Sequence, residues 1–355
     1  MIKPYFALAL QVGQPCIFKR EAIKRVVLPH LSYVINYSMG LANWELPIRL
    51  VALPEGAFEG FAAEYTMDYA DFCKEMVAKP IPNEETDLLG EIAKRHNVYI
   101  MACRKMLDPE IIEGRYFNTA FLISPEGKVI LKHHKLQVIT KEGSITPQDV
   151  WDAYVKKYGD GLDAFFQVVD TDIGRIGLTI CMEGSFPEIY RGFAMQGAEI
   201  MYRPSYPNPW GSGPGLDWWE IQNRARALDN NFYMICPATG PRYGDDIITP
   251  FYSNGGSMIV DYRGQLLSHI LYGTEGYACS KINIEELRDH RDRVLTIGNW
   301  LPTIRSEYYR KIYEKPIYPR NTWLKNRKTW DKDNAVIKES ISRLQEQGIY
   351  TPPSK

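Results

Sequence analysis

Three absences narrow the function of this 355-residue chain before any motif is read. It lacks net charge: 42 basic and 43 acidic residues leave a formal charge of -1. No overall field therefore draws it to nucleic acid or to an anionic membrane. It lacks paired cysteines: Cys16, Cys73, Cys103, Cys181, Cys236 and Cys279 are scattered and form no C-x-x-C. That spacing argues against a zinc ribbon or a disulfide scaffold and fits reduced thiols in a cytoplasm. It also lacks an uninterrupted apolar run of about 18 residues, so no membrane span is expected. The N-terminal run Tyr5 to Leu10 stops at Gln11, too short for a secretory core, and reads as a first strand. The partners left open are a small molecule and another subunit.

What is present is an α/β pattern with 45% hydrophobic residues, ample for a large core. Strands are expected at Tyr5 to Val12, Ile48 to Leu53 and Val98 to Met106. Hairpins are expected over Phe117 to His133, Phe165 to Ile180 and Ser257 to Ile270. Between them lie helical stretches: Lys19 to Met39, interrupted at Pro29; Glu84 to His96, capped by Asn83; Asp149 to Tyr158, closed by Gly159; Pro187 to Gln196; and Leu216 to Leu228. Strand pairs alternating with helix pairs suggest two similar halves. From about residue 290 the pattern changes to basic residues, prolines and aromatics, including Trp300, Tyr308, Tyr309, Tyr313, Tyr318, Trp323 and Trp330. This tail (291–355) has no core of its own, and its aromatics call for a covering surface on the domain (1–290) or on a neighbouring subunit.

One stretch carries the chemistry. Ile176 to Ile180 reads as a strand, Cys181 follows it, and Pro187 opens the next helix. A thiol at such a junction meets helix-terminal N–H groups, which would lower its pKa. A cysteine closing an apolar strand also fits an inert buried hydrophobe. Two other strand ends decide between these readings, because a thiol that attacks an amide needs a proton acceptor and a cation. Leu53-Pro54-Glu55 offers a carboxylate and Lys132-His-His-Lys135 an ammonium.

In their order and local sequence, Glu55, Lys135 and Cys181 resemble the Glu-Lys-Cys triad of the nitrilase, or carbon-nitrogen hydrolase, superfamily. Cys181-Met-Glu-Gly-Ser-Phe-Pro-Glu-Ile-Tyr-Arg191 is most similar to the aliphatic amidase and formamidase branch, where Glu142 matches a fourth functional carboxylate. The resemblance implies a four-layer α-β-β-α sandwich of α/β class and hydrolysis of a small carboxamide through a thioester on Cys181. It further implies an oxyanion held by Lys135 and the Met182 N–H, no metal or other cofactor, and a homo-oligomer. N-carbamoyl compounds and nitriles are alternative substrates for the same triad, and a non-catalytic assembly subunit is an alternative of another class.

Positions near strand ends nominate Phe58, Tyr65, Trp151, Ser205, Tyr206 and Trp210 as the substrate pocket. The long 137–163 segment, with Glu142 to Trp151 inside it, is expected to form a lid or specificity element. His133 and His134 would allow a Cys-His protease, yet in a basic run they read as a solvated edge. Glu183 and Glu188 read as structural. In the helix after Cys181, the stripe Ile189, Phe193 and Met195 is expected at a dimer surface.

Overall fold

The computed structural model describes residues 1–42, 45–140, 142–206, 217–244, 255–295 and 297–353. Two six-stranded sheets dominate these residues. The first runs in the order β14-β1-β3-β4-β5-β6, with β1 at Tyr5–Gln11, β3 at Ile48–Ala52, β4 at Tyr99–Leu107, β5 at Tyr116–Ile123, β6 at Val129–His134 and β14 at Gly276–Ile282. The second runs β13-β12-β10-β9-β8-β7, with β7 at Val168–Thr171, β8 at Gly174–Leu178, β9 at Ile200–Tyr202, β10 at Tyr233–Cys236, β12 at Met258–Val260 and β13 at Leu266–His269. Both are parallel at the centre and antiparallel at the edges. Two short strands, β2 (Gln14–Cys16) and β11 (Arg242–Gly244), pair separately.

Side-chain alternation along the strands separates three cores. Leu8, Leu10, Val51 and Ile100 point outward to the Leu28–Leu41 and Glu84–His96 helices. Ala7, Ala9, Leu50 and Met101 point inward and meet Ile176, Leu178, Ile200, Tyr202 and Ile235 of the second sheet. Met201, Met234 and Met258 face the Pro187–Met195 and Trp218–Asn230 helices. Three apolar layers between four layers of secondary structure give the α-β-β-α sandwich.

Most local signals behave as their chemistry dictates. Asn83 accepts from the Glu85 and Thr86 N–H groups while Thr86 Oγ1 accepts from the Asn83 N–H, a reciprocal cap on the Glu84–His96 helix. Pro29 does not break its helix. A wide turn at Ile23–Val27 precedes it, which releases the carbonyl that the ring would otherwise strike. The strand expected from Phe165 begins instead at Val168, since Leu162–Phe165 is a short helical turn. The boundary expected at 290 falls inside the helix Ile284–Arg293.

Two larger expectations are corrected. The segment from Glu142 to Val150 is no lid: Ser144, Ile145, Asp149 and Val150 are buried, beneath Trp323 of the C-terminal segment. In the helix after Cys181, Ile189 and Phe193 face the chain's own core and only Met195 is exposed, because their spacing matches the sheet beneath them.

One bond ties the sheets together beside two strand ends. Tyr202 Oη donates to the Leu53 carbonyl over 2.5 Å, from β9 to the residue that follows β3. Replacing Tyr202 by Phe leaves that buried carbonyl unsatisfied. The expected result is a loss of about 1–3 kcal/mol, read as a lower urea midpoint at unchanged m-value.

Candidate active site

The ends of four strands deliver the site. Glu55 follows β3, Lys135 follows β6, Cys181 follows β8 and Ser205 follows β9. The Lys135 N–H donates to the Asn118 carbonyl of β5, continuing the β5–β6 ladder by one residue and presenting both side chains to the same space.

There the Lys135 ammonium donates to Glu55 Oε1 at 3.1 Å and to Glu142 Oε2 at 2.7 Å. Asn118 Nδ2 donates to the same Glu55 Oε1 at 2.8 Å and to Glu142 Oε1 at 3.1 Å, so one amide bridges both carboxylates. Ser144 Oγ donates to Glu142 Oε1 at 2.6 Å, and the Tyr206 N–H donates to Glu55 Oε2 at 3.3 Å. All three charged groups are buried. Burial alone would favour neutral Lys135, but the Glu142 and Glu55 carboxylates outweigh it and hold the ammonium well above its ordinary pKa. Burial likewise works against the Glu142 carboxylate, and Lys135 overcomes it to keep Glu142 ionised below the usual range.

Cys181 opens a 3-10 turn, Cys181–Ser185, that stands between β8 and the helix at Pro187. Its φ of 48° lies in the left-handed region, which costs a non-glycine residue and is retained where surroundings enforce it. The enforcing contacts are visible. The Cys181 N–H donates to the Pro204 carbonyl at 2.8 Å, and Arg203 Nε donates to the Cys181 carbonyl at 3.0 Å. Arg203 lies so close behind the turn that a Cβ on Gly184 would fall 1.8 Å from its Cζ, so any larger residue there has to displace the guanidinium. Met182 is the second residue of the turn, where an N–H has no carbonyl within the turn to meet.

Ser205 Oγ donates to Cys181 Sγ at 3.2 Å. The thiol itself departs from the sequence expectation. Burial first and Glu55 second push it up to about 12, against the opposing pull of Lys135 and Ser205. Desolvation and a nearby carboxylate thus outweigh the cation and the hydroxyl beside the thiol.

His133 and His134 are buried rather than solvated. His133 Nε2 pairs with Glu183 Oε1 at 3.0 Å, and His134 lies against Thr119 at 2.8 Å and Asp108 at 3.3 Å. They sit on an edge strand, but their side chains are enclosed by Phe193, Phe117 and Tyr154. Glu183 also accepts from the Leu136 N–H at 2.9 Å and the Ile180 N–H at 2.6 Å, so it joins the lysine loop to the cysteine turn.

Of the nominated pocket residues, Ser205 and Tyr206 touch the triad. Tyr206 also stacks on Phe61 at 5.1 Å and accepts from Arg242. Tyr65 is partly exposed; burial of its phenol, then the Glu64 carboxylate, raises its pKa, with Glu142 and Glu55 adding to the effect. Phe58 is fully enclosed under Arg104 and presents no surface to a ligand. Trp151 stacks on Phe165 at 5.2 Å and lies under Arg320, away from the triad. Trp210 lies outside the described residues.

Sequence reading missed Asn118, Ser144 and a second buried charge cluster behind Glu142. In that cluster Lys105 Nζ meets Glu64 Oε2 at 2.9 Å, and Glu64 Oε1 accepts from Tyr116 Oη and the Gly143 N–H at 2.8 and 3.0 Å. Arg104 joins Glu85 at 2.8 Å and Glu59 at 3.4 Å. The signal was available: Arg104-Lys105 and Asn118 are polar residues inside otherwise apolar strands. Among the described residues no group of three or more His, Cys, Asp or Glu side chains is arranged to hold a metal ion, and no helix is long and apolar enough to cross a membrane.

Comparison with known proteins identifies the family and the fold. Residues 22–292 match the carbon-nitrogen hydrolase family model. The omega-amidase NIT2 of Mus musculus is 30% identical over 249 residues, 69% of this chain and 80% of that protein. A deaminated glutathione amidase of Synechocystis sp. is 28% identical over 82% of this chain and 97% of its own length. Among solved structures, Saccharomyces cerevisiae Nit3, of branch 10 of the nitrilase superfamily, superposes with a TM-score of 0.64 at 20% identity, covering 82% of this chain and 95% of that one. An amidase variant from Nesterenkonia sp. AN1, with the acetamide moiety of fluoroacetamide added covalently at its active site cysteine, superposes at 0.60 and 17% identity over 86% and 96%. With a matching family model over most of its length and the sandwich fold around a buried Glu-Lys-Glu cluster and a cysteine, this chain belongs to the carbon-nitrogen hydrolase family of the nitrilase superfamily and is a hydrolase acting on amides.

Proposed function

We propose that the protein hydrolyses the C–N bond of a small carboxamide through a thioester on Cys181, giving a carboxylate and ammonia in the reduced environment of a cytoplasm. The observation that carries this reading is the buried Lys135 ammonium held between Glu55 and Glu142, with Cys181 close enough to feel both charges. A thiol with a pKa of about 12 is thiolate only to the order of 10⁻⁵ at pH 7. Proton removal therefore has to accompany attack, and Glu55 is the acceptor.

Sγ attacks the carbonyl carbon while Glu55 takes the thiol proton. The carbonyl electron pair moves to oxygen, and Lys135 Nζ with the Met182 N–H receives that oxyanion. As the tetrahedral centre collapses, Glu55 returns the proton to nitrogen, the C–N bond breaks and ammonia leaves. Glu55 then takes a proton from water, hydroxide adds to the thioester carbon, and the departing sulfur recovers the proton. Glu142 keeps Lys135 charged and aimed throughout. Relatives named as omega-amidase and deaminated glutathione amidase support a carboxamide over a nitrile.

The reading is tested by an ammonia-release screen over short carboxamides, ω-amides of dicarboxylic acids, nitriles and ureido acids. Release from a carboxamide is expected, and release confined to nitriles or ureido acids would replace the substrate class. Cys181→Ala is expected to lose all measurable turnover while its circular dichroism stays unchanged. The raised thiol pKa gives a further outcome. Methyl methanethiosulfonate should modify Cys181 in the free protein about tenfold faster per pH unit between 7 and 10. A plateau below pH 9, followed by peptide-resolved mass spectrometry, would show a thiolate already formed at rest. We propose with this an assembly of like subunits; a monomer mass in sedimentation velocity would remove it.

A further inference from the structure

We propose that the C-terminal segment Asn321 to Asp333 is a strap that positions Glu142, acting through Lys328. The proposal rests on the reading above, in which Glu142 holds the Lys135 ammonium.

Glu142, Gly143 and Ser144 are consecutive, lie outside any strand or helix, and are each held by a different group. The Glu142 side chain holds Lys135, and the Gly143 N–H is taken by Glu64 at 3.0 Å. Ser144 gives its hydroxyl to Glu142, and its carbonyl receives Lys328 Nζ at 3.3 Å. An anion thus grips the N–H of one residue and a cation grips the carbonyl of the next. Glu142 sits at the start of the gripped turn.

Lys328 is no surface charge. It is buried, and Asp333 Oδ2 lies 3.7 Å from it within the same segment. Burying a lysine is costly unless its donors are used, so its two partners fix where it stands. The backbone before it is fastened to the same stretch of chain. The Asn321 N–H donates to Gln148 and the Trp323 N–H to Asp149, each at 3.0 Å, while the Asp152 N–H donates to Asn321 Oδ1 at 3.0 Å. Arg115 reaches the Leu324 and Asn326 carbonyls, and the Trp323 ring fills the cluster of Phe117, Ile145, Val150 and Tyr154. None of this strap lies within residues 22–292, the part matched to the family. The strap thus lies outside that match, while the carboxylate it supports lies inside it.

The test uses the full-length protein and two readouts. In ammonia release, Lys328→Met is expected to lower kcat by about tenfold with KM changed less than about twofold, since the loss is one of alignment. Lys328→Arg should restore most of the rate. In a Glu142→Gln background Lys328→Met should cost nothing further, because its target is gone. Ile341→Ala, an exposed change on the following helix Trp330–Glu346, should leave kcat unchanged. The second readout needs no substrate. Glu142 and the Lys135 ammonium that it holds act on the Cys181 thiol in opposite senses, so loosening Glu142 should shift the rate of modification by methyl methanethiosulfonate at pH 9 by about twofold or more in either direction. A Lys328→Met protein with wild-type kcat and wild-type modification rate overturns the strap. So does a tenfold loss that persists in the Glu142→Gln background, or one matched by Ile341→Ala. If Lys328→Met does not fold, Lys328→Gln carries the same comparisons. A wild-type protein that releases no ammonia from any compound refutes the functional reading instead, and the modification rate then decides the strap alone.

Discussion

An ammonium withdrawn from water needs anionic neighbours, and that need organises the centre of this protein. Lys135 is buried, where a lone charge would cost several kcal/mol, and removing one partner of a buried pair costs about 3–5 kcal/mol. Glu55 and Glu142 therefore have little freedom, and Asn118, donating to both, keeps them apart at a fixed separation. The same arithmetic governs the sulfur. Two carboxylates around one ammonium leave the site anionic, so a resting thiolate would be one negative charge too many. Burial first and the Glu55 charge second hold the thiol in its protonated form.

Cys181 and Lys135 follow strands of different sheets, and one buried carboxylate links the segments that carry them. Glu183 accepts N–H groups from Leu136 and Ile180, the neighbours of Lys135 and Cys181, and also holds His133. Behind the cysteine turn, Arg203 donates to the Cys181 carbonyl and to Asn223 and Gln222, and lies over the Trp219 ring. The left-handed backbone of Cys181 is stabilised by these contacts and not by its own preference.

What was readable in the sequence was local. Asn83 announces its helix, Gly159 ends another, and the strand ends carrying Glu55, Lys135 and Cys181 stand out as motifs. What escaped depends on residues far apart in the chain. Glu64 looks like an exposed helix carboxylate until Gly143, 79 positions later, donates to it. His133 and His134 look solvated in a basic run because nothing nearby in sequence reveals Phe193 or Tyr154 closing over them. The thiol is the sharpest case. Neighbouring N–H groups argue for an acidic cysteine, whereas enclosure and Glu55 reverse the sign. Ile189 and Phe193 fail for a similar reason, since an apolar stripe does not say which neighbour it meets.

The buried polar cluster stands at a seam. Glu55, Asn118 and Lys135 stand on or just beyond strands of the first sheet, Cys181 and Ser205 just beyond strands of the second, and an apolar layer with few polar bonds across it joins the two. Tyr202 and Glu183 are two such pins. In the proposed reaction, a small shear of one sheet past the other would part Cys181 Sγ from Glu55 while leaving every helix and strand intact. Catalytic competence in this architecture is thus a gauge of alignment between two slabs, and it should fade under heat or pressure before secondary structure melts.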